Sequence, residues 1–78
     1  MKQRHASLPP LLTASTTVKQ LVPYMEASHL PLRAIARQSG VPVETLYRWF
    51  NGKGSPRAID LEAVATVVNA RIVVEPLE

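Results

Sequence analysis

Three features of the sequence predict an all-α domain of four helices that ends in a short C-terminal β-strand. Apolar residues recur at helical spacing in four segments bounded by capping or turn-forming residues. Within them, the stretch from Leu32 to Gly52 reads LRAIARQSGVPVETLYRWFNG, two short amphipathic helices on either side of a glycine. Near the end, Ile72, Val73 and Val74 are consecutive β-branched residues closed off by Pro76, the pattern of a strand. A chain of 78 residues is one small domain with a modest core, so a second copy or a bound partner is a plausible source of added stability.

Residues 1–15 contain Pro9, Pro10 and small polar residues without a period, which predicts a flexible N-terminal arm. Its tip carries Lys2, Arg4 and His5, and it reads either as a basic arm that reaches a DNA minor groove or as a plain disordered end. The domain proper is expected over residues 16–69. Its first helix is expected from about Thr17, with Gln20 completing a capping box, to Ser28. Val18, Leu21, Val22 and Met25 form its core-facing stripe, and Pro23 predicts a kink.

The second helix is expected over Leu32–Gln38, with Ile35 and Ala36 on one face and Arg33 and Arg37 on another. Gly40 reverses the chain, because a positive φ is cheap only there. The third helix is expected over Val43–Phe50, with Leu46, Trp49 and Phe50 inward and Thr45 and Arg48 outward. Pro31 and Pro42 precede the two helix starts, where a fixed φ is suitable and no donor is lost. This arrangement is a helix-turn-helix, whose second helix suits a DNA major groove. Asn51 and Gly52 stop it. Ser55 and Pro56 are expected to open a fourth helix that buries Leu61, Val64, Ala65 and Val68 and ends at Asn69. The strand from Arg71 to Glu75, within residues 70–78, has no partner in its own chain. It is expected to pair with a second copy through Ile72, Val73 and Val74, the alternative being an extended tail packed on helices.

The net charge is only +3, but it is unevenly distributed. From Arg33 to Arg57 five basic residues stand against Glu44 alone, giving +4, whereas the chain from Ala58 onward sums to −3. Such clustering is the footprint of a nucleic-acid binder. The absence of cysteine excludes a disulfide framework, a thiolate metal site and a cysteine nucleophile. No apolar run approaches the roughly 20 residues that span a bilayer, so the reading is a soluble, cytoplasmic protein with no membrane partner.

The segments LRAIARQSGVPVETLYRWFNGK and IDLEAVATVVNA resemble the lambda-repressor-like, Cro/XRE helix-turn-helix regulators over about Thr17 to Arg71. The resemblance implies a DNA-binding transcriptional regulator. Family members often place a serine or threonine before the second and third helices and a glutamine at the start of the second. Here those positions hold Pro31, Pro42 and Leu32.

The candidates for base contacts are Val43, Glu44, Thr45 and Arg48. Arg48 can pair with guanine O6 and N7, contact phosphate, or bridge to Glu44 one turn earlier. Glu44 can accept from cytosine N4 or simply stabilise the first helical turn. Thr45 can offer its methyl to thymine or its hydroxyl to a base or phosphate. Arg33, Arg37, Tyr47, Asn51, Lys53 and Arg57 are assigned to the phosphate backbone. His5 and His29 are isolated, Ser28, Ser39 and Ser55 lack a base, and the glycines of NGKGSP do not make a phosphate loop. No enzyme, cofactor or metal site is therefore expected. The expected function is a homodimeric, sequence-specific repressor on a palindromic operator in double-stranded DNA. The alternative is an antitoxin or protein-interaction module whose main partner is another protein, such as a toxin.

Overall fold

A computed structural model describes residues 8–13 and 15–77, among which lie four helices: α1 (Thr16–Ser28), α2 (Leu32–Ser39), α3 (Val43–Asn51) and α4 (Ala58–Val67). The basic tip with Lys2, Arg4 and His5 lies outside the described residues. α2 packs on both α3 and α4, and α1 packs on α4.

The cap of α1 is Ser15, not Thr17. Its backbone is extended and its side chain accepts the Val18 amide at 3.2 Å. The Ser15 amide in turn donates to Oγ1 of buried Thr13 at 3.1 Å, which holds the capping residue in place. Val18, Leu21, Val22 and Met25 are buried as their spacing requires. Pro23 lies inside the helix on its exposed side. Pro23 has no amide hydrogen to donate to the Lys19 carbonyl, and both residues are exposed.

Two joints of the same construction connect α1 to α2 and α2 to α3. In each, a serine ends the helix, the next residue is left-handed, an apolar residue follows, and a proline opens the next helix. Ser28 Oγ donates to the Met25 carbonyl at 2.6 Å and accepts the Leu30 amide at 3.2 Å. Ser39 Oγ donates to the Ala36 carbonyl and accepts the Val41 amide, both at 3.2 Å. His29 takes φ 59° at the first left-handed position and Gly40 takes φ 80° at the second. Pro31 and Pro42 then accept with their carbonyls from the amides three and four residues on, at 2.9 to 3.3 Å.

α3 and α4 both end in a Schellman motif. The Lys53 amide reaches the Arg48 carbonyl at 2.9 Å around left-handed Gly52, and the Ala70 amide reaches the Ala65 carbonyl at 2.8 Å around left-handed Asn69. α4 begins at Ala58 with Arg57 as its cap residue, so the start expected at Ser55 and Pro56 is corrected. Ser55 is exposed and caps nothing.

One core unites these elements. Ile35, Leu46, Phe50 and Val64 have no accessible surface, and Trp49, Leu32 and Met25 have almost none. Leu61, expected in the core, is partly buried at its edge.

Two further expectations need correction. Residues 8–13 do not form a flexible arm: Leu8 and Thr13 are buried, and the Leu12 amide donates to the Phe50 carbonyl at 2.6 Å. That carbonyl lies in the last turn of α3, where a helix offers no donor of its own. At the other end, residues 71–77 form no strand, because every other described segment is helix, turn or loop and none presents a ladder edge. Ile72 packs against the core, while Val73 and Val74 are exposed.

The two glycines at helix ends make a graded prediction. A Cβ at Gly40 would meet nothing within 4 Å, so Gly40→Ala incurs only the left-handed penalty, about 1–2 kcal/mol. A Cβ at Gly52 would stand 2.8 Å from the Leu12 carbonyl oxygen, so Gly52→Ala adds a backbone clash to the same penalty. Thermal unfolding of both variants should rank Gly52→Ala as clearly the less stable, and equal losses would contradict the packing of residues 8–13.

Candidate nucleic-acid interface

α3 is a helix of nine residues held from behind by Leu46, Trp49 and Phe50, all buried. With the two aromatic residues in the core, base stacking on them is excluded by their placement. The opposite side carries Glu44 and Arg48, both exposed and one turn apart, with Tyr47 at its margin. Thr45 is half-buried between the two sides, and Val43 is half-buried with its apolar surface against the core. The four expected base-contacting residues thus sit on the first two turns of one helix, but they are unequally accessible.

Arg48 leans toward the loop that follows the helix: a Cβ at position 54 would stand 3.5 Å from its Nη2. Gly54 therefore leaves open the space that the guanidinium borders. No pair forms between Arg48 and Glu44, since among the described residues the only ion pair is Arg57 with Asp60, at 3.3 Å. Both charges on α3 remain available to an incoming partner.

Arg33 and Arg37 are exposed one turn apart on α2. Together with Ala36, Gly40, Val41 and Val43 they line an open depression where the turn delivers the chain into α3. Two guanidinium groups therefore flank the start of the helix that carries Glu44 and Thr45. Neither α2 nor α3 has a side-chain cap, because Pro31 and Pro42 stand at the cap positions. The first-turn amides of both helices therefore lack a side-chain acceptor, and such helix starts favour anions.

Asn51 and Lys53 are exposed at the far end of α3. Arg57 differs from the other expected cations, because its exposed guanidinium already faces a carboxylate on the first turn of α4. The Asp60 side chain is only 21% exposed and bridges to Arg57. The i, i+3 spacing of the two residues was the available signal.

Elsewhere the described residues contain no group of three or more His, Asp or Glu side chains able to hold a metal ion. None of the described helices is long and apolar enough to cross a membrane. The expected dimer residues Ile72, Val73 and Val74 follow α4 and lie in a part of the sequence separate from α2 and α3.

The helix-turn-helix family model matches residues 24–72, from within α1 to just beyond α4. No curated protein and no solved structure matches the chain.

Leu32 gives a direct test of how α2 is seated. Its side chain is 2% exposed, so the first position of α2 faces the core and not an external partner. Leu32→Gln should lower stability by roughly 2–3 kcal/mol through lost burial and an unpaired amide. Denaturant titration measures this, and an unchanged midpoint would contradict the inward placement.

Proposed function

Because this chain belongs to the Cro/C1-type helix-turn-helix family, we infer that it is a sequence-specific transcriptional regulator that inserts α3 into the DNA major groove. The observation that carries this reading is the division of α3 into a buried side and an exposed side bearing Glu44 and Arg48, with Arg33 and Arg37 beside its start. A helix supported in this way enters a groove about 12 Å wide without disturbing its own packing.

Within that reading, the Arg48 guanidinium donates to O6 and N7 of a guanine, and Glu44 accepts from the N4 amino group of a cytosine. Thr45, less exposed, offers its methyl group to a thymine at close approach, and Val43 contributes only the part of its side chain that the core leaves uncovered. Arg33, Arg37, Tyr47, Asn51 and Lys53 contact the sugar–phosphate backbone, as do the uncapped starts of α2 and α3. Arg57 contributes less, because Asp60 offsets its field. Two copies joined through residues 72–74 address the halves of a palindromic operator about 34–36 Å apart. Occupancy of the operator represses transcription, and the site of action is the cytoplasm, where the DNA lies.

Binding selections from a random duplex pool test specificity directly. The wild-type chain should enrich a palindromic site, whereas Arg48→Ala should lose about 1–3 kcal/mol at that site and accept substitutions of the contacted guanine. Retention of both affinity and preference would remove α3 as the reading element.

The positioning contacts have a separate signature. Each phosphate contact adds about 0.9 to the slope of log affinity against log salt, so Arg33→Ala and Arg37→Ala should each flatten it by nearly that amount. The loss should be similar on specific and random DNA. A slope that stays constant in both variants would place these arginines away from the duplex.

A further inference from the structure

Residues 8–13 lie ahead of the segment that the family model matches, yet they are fastened to the end of the helix that the reading above places in DNA. We propose that they act as a strap that positions the last turn of α3, and through it Asn51 and Lys53, for contact with the phosphate backbone. The proposal rests on the DNA reading of α3 and adds the groups that aim one end of it.

A helix end leaves carbonyls without donors of its own. Here the Arg48 and Trp49 carbonyls accept the amides of Lys53 and Gly52, which the left-handed turn brings back. The Phe50 carbonyl is instead taken by the Leu12 amide at 2.6 Å, from a segment far back in the sequence. The same residue also meets the turn itself: its carbonyl oxygen lies so near Gly52 that a Cβ there would stand 2.8 Å from it. One backbone residue thus bonds the last helical turn and fits against the glycine that ends it. Side-chain burial does not place it there, because Leu12 is 69% exposed.

The strap is anchored on both sides of Leu12. Leu8 is buried in the core, and Leu11 packs against it. Beyond Leu12, buried Thr13 accepts the Ser15 amide, and Ser15 in turn caps α1. The strap therefore ties the start of α1 to the end of α3 and gives α3 an attachment in addition to its packing on α2. Pro9 and Pro10 have a fixed φ, so the segment has less conformational freedom to lose when it docks. Asn51 and Lys53 flank Gly52 directly, and both are exposed. Any shift of the Gly52 turn is passed to them without an intervening joint.

The test replaces the amide link between Leu11 and Leu12 by an ester in a chemically synthesised chain of all 78 residues. This removes the Leu12 N–H and leaves every side chain in place. Without DNA, hydrogen exchange at the Lys53 amide should quicken about tenfold, whereas exchange at the Gly40 amide, in the turn before α3, should not change. On the duplex selected by the unmodified chain, affinity should fall about fivefold, and the salt slope should flatten toward the loss of one phosphate contact, about 0.9. In a chain that also carries Asn51→Ala and Lys53→Ala, the same ester should change binding little, because the groups it positions are gone. Leu12→Ala keeps the amide and removes only an exposed side chain, so it should match the wild type in every measurement.

An ester that weakens binding equally in both backgrounds overturns the positioning role, and unchanged exchange at Lys53 overturns the strap itself. One measurement needs no variant: in the unmodified chain the Leu12 amide should exchange as slowly as the amides of α3. Exchange there at the rate of an open coil would overturn the strap even if the ester chain did not fold. A wild-type chain that binds no duplex while its Leu12 amide is protected overturns the DNA reading of α3, and with it the phosphate contacts, but leaves the attachment of residues 8–13 standing.

Discussion

The orientation of α3 depends on the joint built from Ser39, Gly40, Val41 and Pro42. Four requirements meet there: a hydroxyl that donates back to the Ala36 carbonyl and accepts the Val41 amide, a left-handed residue to turn the chain, an apolar side chain to anchor the turn in the core, and a proline to start the next helix. The same arrangement stands between α1 and α2, with His29 in the left-handed position. A turn of so few residues, with both backbone ends bonded to one serine, leaves little freedom in the angle between its helices. α2 and α3 therefore behave as one rigid corner, and the surface they present is fixed by the backbone before any side chain is chosen.

Packing then sorts the residues of that corner. Ile35, Leu46 and Phe50 meet Val64 at the centre of the molecule, and their burial commits the reverse sides of α2 and α3 to solvent. The positive charge is concentrated there because the inward positions are already taken by apolar groups. α4 contributes Asp60 and Glu62, and its one paired carboxylate draws Arg57 toward it. Among the described residues Arg33, Arg37 and Arg48 are held by no carboxylate.

Much of this was legible in the sequence, and the exceptions have physical causes. The stripes of α1, α2 and α3, the reversal at Gly40 and the stop at Asn69 depend on local spacing and local φ, which a sequence displays directly. The cap of α1 was displaced from Thr17 to Ser15 because three adjacent hydroxyl residues compete, and the contact that favours Ser15 comes from buried Thr13. Leu12 was read as part of a flexible arm because its partner Phe50 lies some forty residues away, beyond the reach of any periodicity. Ser55 and Pro56 offered a good local helix start that the tertiary structure did not use. The strand failed for a different reason: β-branched residues express a capacity to pair, and a single chain with no exposed edge cannot fulfil it. At the interface, sequence spacing placed Glu44, Thr45 and Arg48 on one helix. It could not show that Thr45 is half-covered or that Arg48 borders Gly54.

The inward anchors of α3 are three large side chains that stabilise the fold, whereas Glu44, Tyr47 and Arg48 touch the core little or not at all. Mutation can therefore rewrite those outward letters while the architecture stands unaltered. Such a scaffold is free to drift toward new targets over evolutionary time, with its vocabulary and its grammar inherited separately.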